Sequence, residues 1–323
     1  MLIFVINNLA QKKKFETLQK SLDNKIKIMV PQKKKFETLQ KSLDNKIKIM
    51  DKLIKSSENK ALILNKQLEA FIYYLYSFKN DSSIYQLLKP KSVVGKKKIR
   101  IGSKEDGGYI LLDDFENIRI TYSFGIDNEI SFDKDLADKN IDIFMYDHTI
   151  EKLPFYNKKF HWKKIGLTEK KNYSNNMKTF KELLQENGHT NEKNMILKID
   201  IDGGEWNIFS DIDNEILLQF KYIVVEFHFN DLCISQYQKV FKKLNKNHQI
   251  FHLHCNNYDS IIKFDGYYIC KALEISYIIK ENNSFIKFND FFPVTNLDYK
   301  NCKKKMDINF FLNIYQFDNI ISN

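Results

Sequence analysis

Several features are scarce or missing in this chain, and each argues against a class of protein. The four cysteines are Cys233, Cys255, Cys270 and Cys302. No two of them have C-x-x-C spacing, so neither a zinc knuckle nor a thioredoxin-type site is indicated, and we expect a reducing compartment. No run of about 18 apolar residues is present, so we expect no membrane span. The apolar segment Met1–Ala10 precedes its lysine cluster, the reverse of a signal peptide, which favours a cytoplasmic protein.

Positive charge is concentrated at the N-terminus. Residues 1–60 carry a net charge of +9 out of a total of +10, which leaves the rest of the chain near neutral. An enzyme that acts on nucleic acid usually carries positive surface around its active cleft. The distribution therefore argues against nucleic acid as a substrate.

Residues 1–80 form a lysine-rich arm that contains a tandem repeat. The segment Gln11–Met29 recurs unchanged at Gln32–Met50, and the period of 21 residues equals three heptads. Apolar residues keep one heptad register in both copies, which predicts a helical, coiled-coil-like arm that joins two copies of the chain or docks on a partner. A recent duplication that only lengthens a solvated helix is an equal alternative. Pro31 should break the helix between the copies.

The rest of the chain is predicted to form one α/β domain. Residues 81–98, which include Pro90 and a run of lysines, indicate a linker, and the domain follows over residues 99–323. The predicted strands lie near residues 118–124, 141–147, 160–166, 194–201, 221–228, 248–254 and 272–279. The predicted helices cover residues 129–139, 176–188, 204–219 and 232–246. Their order predicts a doubly wound, mainly parallel seven-stranded sheet, in which the last two strands pair antiparallel.

The segment Met195–Trp206, M-I-L-K-I-D-I-D-G-G-E-W, combines an apolar run with carboxylates and glycines. A buried parallel strand is expected to end at Asp200 and Asp202, and a helix to begin near Glu205. Ligands bind outside the carboxyl ends of the strands in open α/β sheets. The chemistry is therefore expected at this edge of the sheet.

A glycine and an acid on two earlier strands predict a nucleoside site. Gly125 follows a strand and would let a ligand approach the backbone closely. Asp147 ends the next strand, 22 residues later, where a carboxylate can accept hydrogen bonds from both ribose hydroxyls. An ordinary turn with a surface aspartate is the alternative. The chain lacks a G-x-x-x-x-G-K-[ST] motif, so a nucleoside without phosphates, such as S-adenosylmethionine, fits best.

Several motifs occur in an order that one known family shares. They are D-G-G-Y-I (Asp106–Ile110), S-F-G-I-D (Ser123–Asp127), Y-D-H-T (Tyr146–Thr149), K-I-D-I-D-G-G-E-W (Lys198–Trp206), V-V-E-F-H (Val224–His228), H-L-H-C-N-N (His252–Asn257) and F-P-V-T-N-L-D (Phe292–Asp298). With them, residues 99–300 resemble an FkbM-like class I methyltransferase. More narrowly, they are similar to those encoded in bacterial capsule and surface-polysaccharide clusters. The chain departs from the common K-I-D-V-E-G pattern, because Asp202 replaces the glutamate.

The resemblance implies a Rossmann-like methyltransferase fold with S-adenosylmethionine as the cofactor. It places Gly125 against the methionine part of the cofactor and Asp147 at the ribose. His148 and Gly166 would neighbour the adenine, and the loop at Asp106 would close over the ligand. The implied cofactor-binding residues are Asp106, Gly107, Gly108, Ser123, Gly125, Asp127, Asp147, His148 and Gly166.

Transfer of a methyl group to a hydroxyl requires that the acceptor be aligned and that its proton be removed. We predict His228 or His254 as the general base, on neighbouring strand ends, with Asp200 as a positioning or proton-accepting partner. A rival prediction is a divalent cation held by Asp200, Asp202 and Glu226, which would lower the pKa of the hydroxyl.

Two further pairs of residues have alternative interpretations. Asp202 and Glu205 could simply cap the next helix. Asn256 and Asn257 are predicted to bind sugar hydroxyls, or else to form a turn.

The leading functional hypothesis is an S-adenosylmethionine-dependent O-methyltransferase that acts on a sugar or sugar nucleotide for a surface polysaccharide. The alternatives are a nucleic-acid methyltransferase and a non-catalytic scaffold with a basic coiled-coil arm. The near-neutral domain argues against the first alternative, and the intact acidic, glycine and histidine positions argue against the second.

Overall fold

The computed structural model describes residues 84–169, 176–230, 232–265 and 267–316, together with Thr17 and Lys20. The chain divides into two units, and the larger one spans Glu58–Asp318. Thr17 and Lys20, which are helical and exposed, are the described residues of the smaller unit. The predicted arm over residues 1–80, with its repeat and its coiled coil, otherwise lies outside the described residues.

The described elements alternate between strands and helices. The strands are β1 (Lys91–Val93), β2 (Lys98–Ile101), β3 (Tyr109–Leu112), β4 (Ile120–Phe124), β5 (Asp142–Tyr146), β6 (Phe160–Lys163), β7 (Gly166–Leu167), β8 (Met177–Lys178), β9 (Met195–Ile199), β10 (Phe220–His228), β11 (His248–Cys255), β12 (Ile261–Phe264), β13 (Tyr267–Cys270), β14 (Ala272–Ile279) and β15 (Phe285–Lys287). The α-helices are α1 (Ile84–Leu87), α2 (Ser131–Asp138), α3 (Phe180–Glu186), α4 (Glu205–Asp211), α5 (Asn214–Leu217) and α6 (Ile234–Asn247). A 3-10 helix follows at Asn309–Gln316.

Seven strands form the central sheet in the order β11-β14-β10-β9-β4-β5-β6. Neighbouring strands from β10 to β6 pair in parallel. Strand β14 runs antiparallel to both of its neighbours, β10 and β11. The predicted doubly wound, mainly parallel seven-stranded sheet is therefore confirmed, as is the antiparallel pairing of the last two predicted strands.

The sheet is buried on both faces because its central strands are apolar at nearly every position. All five residues of β9 are buried, and alternate side chains enter opposite faces. Leu197 belongs to a core cluster with helices α3, α4 and α6, whereas Ile196 belongs to a second cluster that includes α2 and β3. Two apolar layers thus pack the sheet against its helices, and polar residues occupy its carboxyl edge.

The residues expected to form a linker instead fold with the domain from Ile84 onward. Ile84, Tyr85 and Leu88 are buried in the core, and the carbonyl oxygen of Leu87 accepts a hydrogen bond from the side chain of Asn245 in α6. Strand β1 then pairs with β15. The apolar residues ahead of Pro90 account for the difference, because they supply surface that α6 covers.

The helix predicted over residues 204–219 is two helices in the structure. Helix α4 ends at Asp211, and Asp213 adopts an extended conformation (φ −65°, ψ 144°) as the N-cap of α5. Within the described part of the chain, no helix is long and apolar enough to cross a membrane.

Cys255 and Cys270 form a disulfide that the sequence analysis did not predict. Their Cα atoms lie 5.7 Å apart, and both side chains are fully buried. The bond closes the hairpin of β12 and β13 and leaves Cys233 and Cys302 as free thiols. Because disulfides persist mainly in oxidising environments, this pairing counts against the expected reducing compartment.

Reduction of this disulfide is expected to lower the free energy of unfolding by about 3 kcal/mol, because the bond closes a loop of 15 residues and restricts the unfolded chain. The measurement is urea unfolding with and without dithiothreitol, and a Cys233→Ser/Cys302→Ser variant serves as the control without free thiols. Thiol titration of the denatured, unreduced protein should detect Cys233 and Cys302 alone. Reaction of all four cysteines would contradict the pairing.

Candidate active site

A cavity of about 720 Å³ opens at the carboxyl edge of the central sheet, and its wall includes most of the predicted site residues. The predicted residues that line it are Asp106, Gly107, Gly125, Asp127, Asp147, His148, Gly166, Asp200, Asp202, Glu226, His228 and Asn256. The sheet order separates them into a β4–β5 side, which carries Gly125 and Asp147, and a β10–β11 side, which carries Glu226 and Asn256. Asp200, at the end of β9, lies between the two.

Gly125 joins the two sides by a close backbone contact. Its φ of +76° belongs to the left-handed region that favours glycine, and a Cβ at this position would lie 1.5 Å from the carbonyl oxygen of Asp200. The amide of Asp200 donates to the carbonyl oxygen of Phe124, and the ammonium group of Lys198 donates to the carbonyl oxygen of Gly125. The turn after β4 is therefore fixed against the end of β9.

Asp147 braces this turn. Its Oδ2 accepts hydrogen bonds from the amides of Ile126 (2.8 Å) and Asp127 (3.0 Å), and its Oδ1 accepts from the amide (2.7 Å) and hydroxyl (2.6 Å) of Thr149. Burial alone would raise the pKa of Asp147, but these hydrogen bonds outweigh it and lower the pKa to about 2. A carboxylate offers about four lone-pair positions, so a ribose hydroxyl would have to replace one of the present donors.

His148 and Gly166, the predicted neighbours of an adenine ring, lie against each other on the β4–β5 side. A Cβ on Gly166 would meet the His148 ring at 2.7 Å from Nδ1 and the sulfur of Met177 at 2.5 Å. The missing side chain thus leaves room for the imidazole at the cavity wall.

The loop at Asp106 reaches across to the β10–β11 side. The Oδ1 atom of Asp106 accepts hydrogen bonds from the side-chain amides of Asn301 (2.9 Å) and Asn256 (3.2 Å). Gly107 lines the cavity with a φ of +79°. Two residues of the predicted cofactor set do not line the cavity: the Cβ position of Gly108 is filled by neighbouring backbone and Arg100, and Ser123 is buried within β4.

Three polar side chains converge where β9 and β10 end. Asp200, Glu226 and His228 each offer one ligand atom, and these atoms lie within 4.8 Å of one another. Tyr109 donates a hydrogen bond to Asp200, and Asn256 donates one to Glu226. Burial, and then the charges of Asp200 and other neighbouring carboxylates, raise the pKa of Glu226 well above its ordinary value. The cluster therefore attracts a proton or a cation.

The ring of His228 is oriented by Glu205, a role that the sequence analysis missed. Glu205 is fully buried, and its carboxylate accepts backbone hydrogen bonds from Ile201 and Gly203. It also lies 3.2 Å from Nδ1 of His228. With Nδ1 protonated toward Glu205, Nε2 of His228 remains available at the cavity, 3.8 Å from Glu226. The available signal was an acid at the first position of the helix that follows a central strand of the sheet.

The pKa of His228 reflects the same environment. Burial lowers it, but the hydrogen bond and charge of Glu205, followed by the charges of nearby aspartates, raise it above the usual value. Asp202 lies 3.7 Å from Nε2 of His228, but its side chain is 99% exposed. His228 therefore forms a cluster with Asp200 and Glu226, and Asp202 is not part of that cluster.

His254 does not lie at the cavity, contrary to the prediction that it projects beside His228. Strand β14 is inserted between β10 and β11, so Glu274 separates the two strands that were expected to be neighbours. Nδ1 of His254 lies 3.0 Å from Oε2 of Glu274 in the protein interior. Burial lowers the pKa of His254, but the charge and hydrogen bond of Glu274 raise it to about 9. His254 is thus a buried, charged partner of Glu274.

The two asparagines that were predicted to bind sugar separate in the structure. Asn256 lines the cavity, and its amide connects Asp106 to Glu226. Asn257 is buried outside the cavity wall, where its amide holds the carbonyl oxygens of Cys302 and Met306. The polar character of Asn257 therefore serves the packing of the C-terminal segment.

A family profile described as a methyltransferase domain matches residues 45–278, which is most of the chain. The chain belongs to this methyltransferase-domain family. The match covers every residue that lines the cavity, so the site described above lies within the methyltransferase domain. Methyl transfer is accordingly the general chemistry of the protein, and S-adenosylmethionine is the typical cofactor of such domains. No curated protein matches the chain.

The pair of His254 and Glu274 predicts how stability depends on pH. A folded-state pKa of about 9, above the ordinary 6.5, means that the pair stabilises the methyltransferase fully below pH 6.5 and that the contribution is lost as the pH rises through 9. We expect a loss on the order of 1–3 kcal/mol between these limits. Urea unfolding at pH 6.5 and 9.5 measures it.

The variant His254→Gln should lose less of its stability over this pH range than the unsubstituted protein. His161→Gln is the matched control, because His161 is an exposed histidine of the edge strand β6 that also pairs with a carboxylate, that of Asp142 in β5. An equal pH dependence in His254→Gln and in the unsubstituted protein would refute the assignment.

Proposed function

We propose that this methyltransferase transfers a methyl group from S-adenosylmethionine to a hydroxyl group of a sugar, within capsule or surface-polysaccharide synthesis. The observation that carries the proposal is one cavity with two sides. Its β4–β5 side holds the glycine turn, Asp147, His148 and Gly166, and its β10–β11 side holds an imidazole among carboxylates. The FkbM-like motifs support the sugar acceptor.

The charge of the cavity fits a cationic cofactor. Among the residues that the structure describes, nine carboxylates line the wall, against one lysine and two histidines. S-adenosylmethionine carries a sulfonium and an ammonium group, and when bound it supplies a methyl group that the sulfonium already activates. Backbone at Gly125 and the polar groups around Asp147 would hold it on the β4–β5 side. Asp106 and Gly107 would cover it from the loop before β3.

On the β10–β11 side, the residues of this chain would align the acceptor and remove its proton. Nε2 of His228 would accept the hydroxyl proton, because Nδ1 is directed to Glu205. Glu205 would stabilise the protonated ring, as its buried carboxylate is held by backbone amides. Asp200 would bind a neighbouring hydroxyl with the support of Tyr109.

A divalent cation is a second candidate for activating the hydroxyl. The observation that favours it is the set of Asp200, Glu226 and His228, with ligand atoms within 4.8 Å of one another. Glu205 behind His228 resembles the carboxylate that commonly orients a metal-binding imidazole. This ligand set replaces the one predicted from the sequence, because Asp202 is exposed.

The acidic cavity also bears on the alternative functions. A polyanion would meet carboxylates on both sides, so the wall disfavours a nucleic-acid acceptor. A scaffold without catalytic function would have no reason to bind a nucleoside cofactor. Binding of S-adenosylhomocysteine therefore separates an enzyme from a scaffold.

Isothermal titration calorimetry with S-adenosylhomocysteine is expected to show binding, and Asp147→Ala is expected to weaken it at least about tenfold because the turn at Gly125 loses its brace. Asp142→Ala is the control, since Asp142 lies at the other end of β5 and pairs with Lys159. Absence of binding would argue for the scaffold, and equal affinity in Asp147→Ala would remove its role in cofactor binding.

Substitution of the proposed base should affect turnover rather than cofactor affinity. In a methyl-label assay on a panel of sugars, His228→Ala is expected to lower kcat by about 10²–10⁴ and leave S-adenosylhomocysteine affinity within about twofold. Glu205→Gln should lower kcat by less, because the side-chain oxygen of the glutamine can still accept the hydrogen bond from Nδ1 of His228. The exposed His161→Gln again serves as the control.

Full activity of His228→Ala would eliminate His228 as base and as metal ligand. Loss of activity in EDTA, with recovery on addition of Mg²⁺ or Mn²⁺, would favour the cation over the base. Activity that EDTA does not change would leave proton transfer to His228 as the mechanism.

A further inference from the structure

The acceptor is proposed to bind on the β10–β11 side of the cavity, and among the described residues of this wall no lysine or arginine is free to bind a phosphate group. Its wall on the β10–β11 side carries the carboxylates of Asp106, Asp202, Glu226 and Asp259. Among the described lining residues the one lysine is Lys198, and its ammonium group is already bonded to the Gly125 carbonyl and close to Asp200. No arginine lines the described wall. A pyrophosphate here would face these carboxylates, and the nearby cations already have acidic partners: Lys271 pairs with Asp259, and the His228 ring lies among Asp202, Glu205 and Glu226.

The same wall presents an aromatic ring to solvent. Tyr258 lines the cavity, and 52% of its surface is exposed. Its backbone is fixed: the amide donates to Oδ1 of Asn256 at 2.8 Å, and Lys305 donates to its carbonyl oxygen. The ammonium group of Lys305 lies 5.5 Å from the centroid of the Tyr258 ring, so Tyr258 is a positioned ring that keeps half of its surface open to solvent at the cavity.

An exposed ring beside several carboxylates suits a particular kind of acceptor. One face of a pyranose is largely C–H surface and packs on an aromatic ring, while its hydroxyls donate hydrogen bonds to carboxylates. Asp259 follows Tyr258 directly, and Asp106 and Glu226 are tied together by Asn256 beside it. These groups offer acceptors to hydroxyls on the edge of a sugar that lies over the ring.

We propose that the acceptor is a sugar without phosphate, held as the end of a glycoside with its ring against Tyr258 and its hydroxyls on Asp106, Glu226 and Asp259. The carboxylates of this wall disfavour a sugar nucleotide, whose pyrophosphate carries negative charge. This inference rests on the proposed sugar O-methyl transfer and narrows the substrate class within it.

Paired acceptors test the inference directly. The methyl glycosides of glucose, galactose, mannose and rhamnose are compared with UDP-glucose, UDP-galactose, GDP-mannose and dTDP-rhamnose in the methyl-label assay. We expect kcat/KM for at least one glycoside to exceed that of its nucleotide form by tenfold or more, and we expect UDP not to compete with the glycoside.

The outcomes are distinguishable. Preference for the nucleotide form would overturn this inference and leave sugar O-methylation intact. Methylation of neither form by a protein that binds S-adenosylhomocysteine would overturn the inference together with the sugar acceptor.

Variants of the ring provide a second test. Tyr258→Ala is expected to raise KM for the preferred glycoside about three- to tenfold, with kcat within about twofold and S-adenosylhomocysteine affinity unchanged. Tyr258→Phe should retain most of the affinity because it keeps the ring. Tyr156→Ala is the matched control, an 82% exposed tyrosine outside the cavity wall. An unchanged KM in Tyr258→Ala, or an equal change in Tyr156→Ala, would overturn the role of the ring.

Discussion

The contact between Gly125 and the backbone of Asp200 sets the geometry of the entire carboxyl edge. With 1.5 Å between the position of a Cβ at residue 125 and the Asp200 carbonyl oxygen, no other residue type allows β4 and β9 to end at this separation. The turn after β4 carries the amides that Asp147 binds, and the end of β9 carries the carboxylate that Tyr109 binds. Because one glycine joins these two polar networks, a cofactor on one side and an acceptor on the other would lie at a fixed distance.

The second constraint on the site is its excess of carboxylates. Buried acids repel one another, and the structure offsets this with hydrogen bonds more than with cations. Four donors hold Asp147, backbone amides hold Glu205, and the amides of Asn256 and Asn301 hold the acids around Asp106. Glu226 receives less of this support, and its pKa is accordingly raised. The negative charge that these hydrogen bonds do not offset lies at Glu226, where a cationic cofactor and a hydroxyl-rich acceptor would meet.

The sequence predicted the parallel part of the sheet well because each central strand is a short apolar run with a polar end. The edge at which Gly125, Asp147 and Asp200 meet follows from that pattern alone. It did not predict strand order, which depends on pairing between distant segments, and the inserted β14 therefore removed His254 from the site. The sequence also could not assign different roles to Asn256 and Asn257. Asn257 binds the packed C-terminal segment, whereas Asn256 binds Glu226 at the cavity, and this difference depends on how that distant segment folds back.

The insertion of β14 also explains why a charged histidine lies inside the domain. Glu274 of β14 is paired directly opposite Glu226 of β10, so two carboxylates face the same part of the sheet. On its other side Glu274 is paired with His254 of β11, whose pKa of about 9 keeps the ring protonated at neutral pH. The positive ring compensates Glu274, and Asn301 bonds both Glu274 and Asp106. His254 therefore acts on the cavity indirectly, because without it the charge of Glu274 would add to that of Glu226 at the point where an acceptor is proposed to bind.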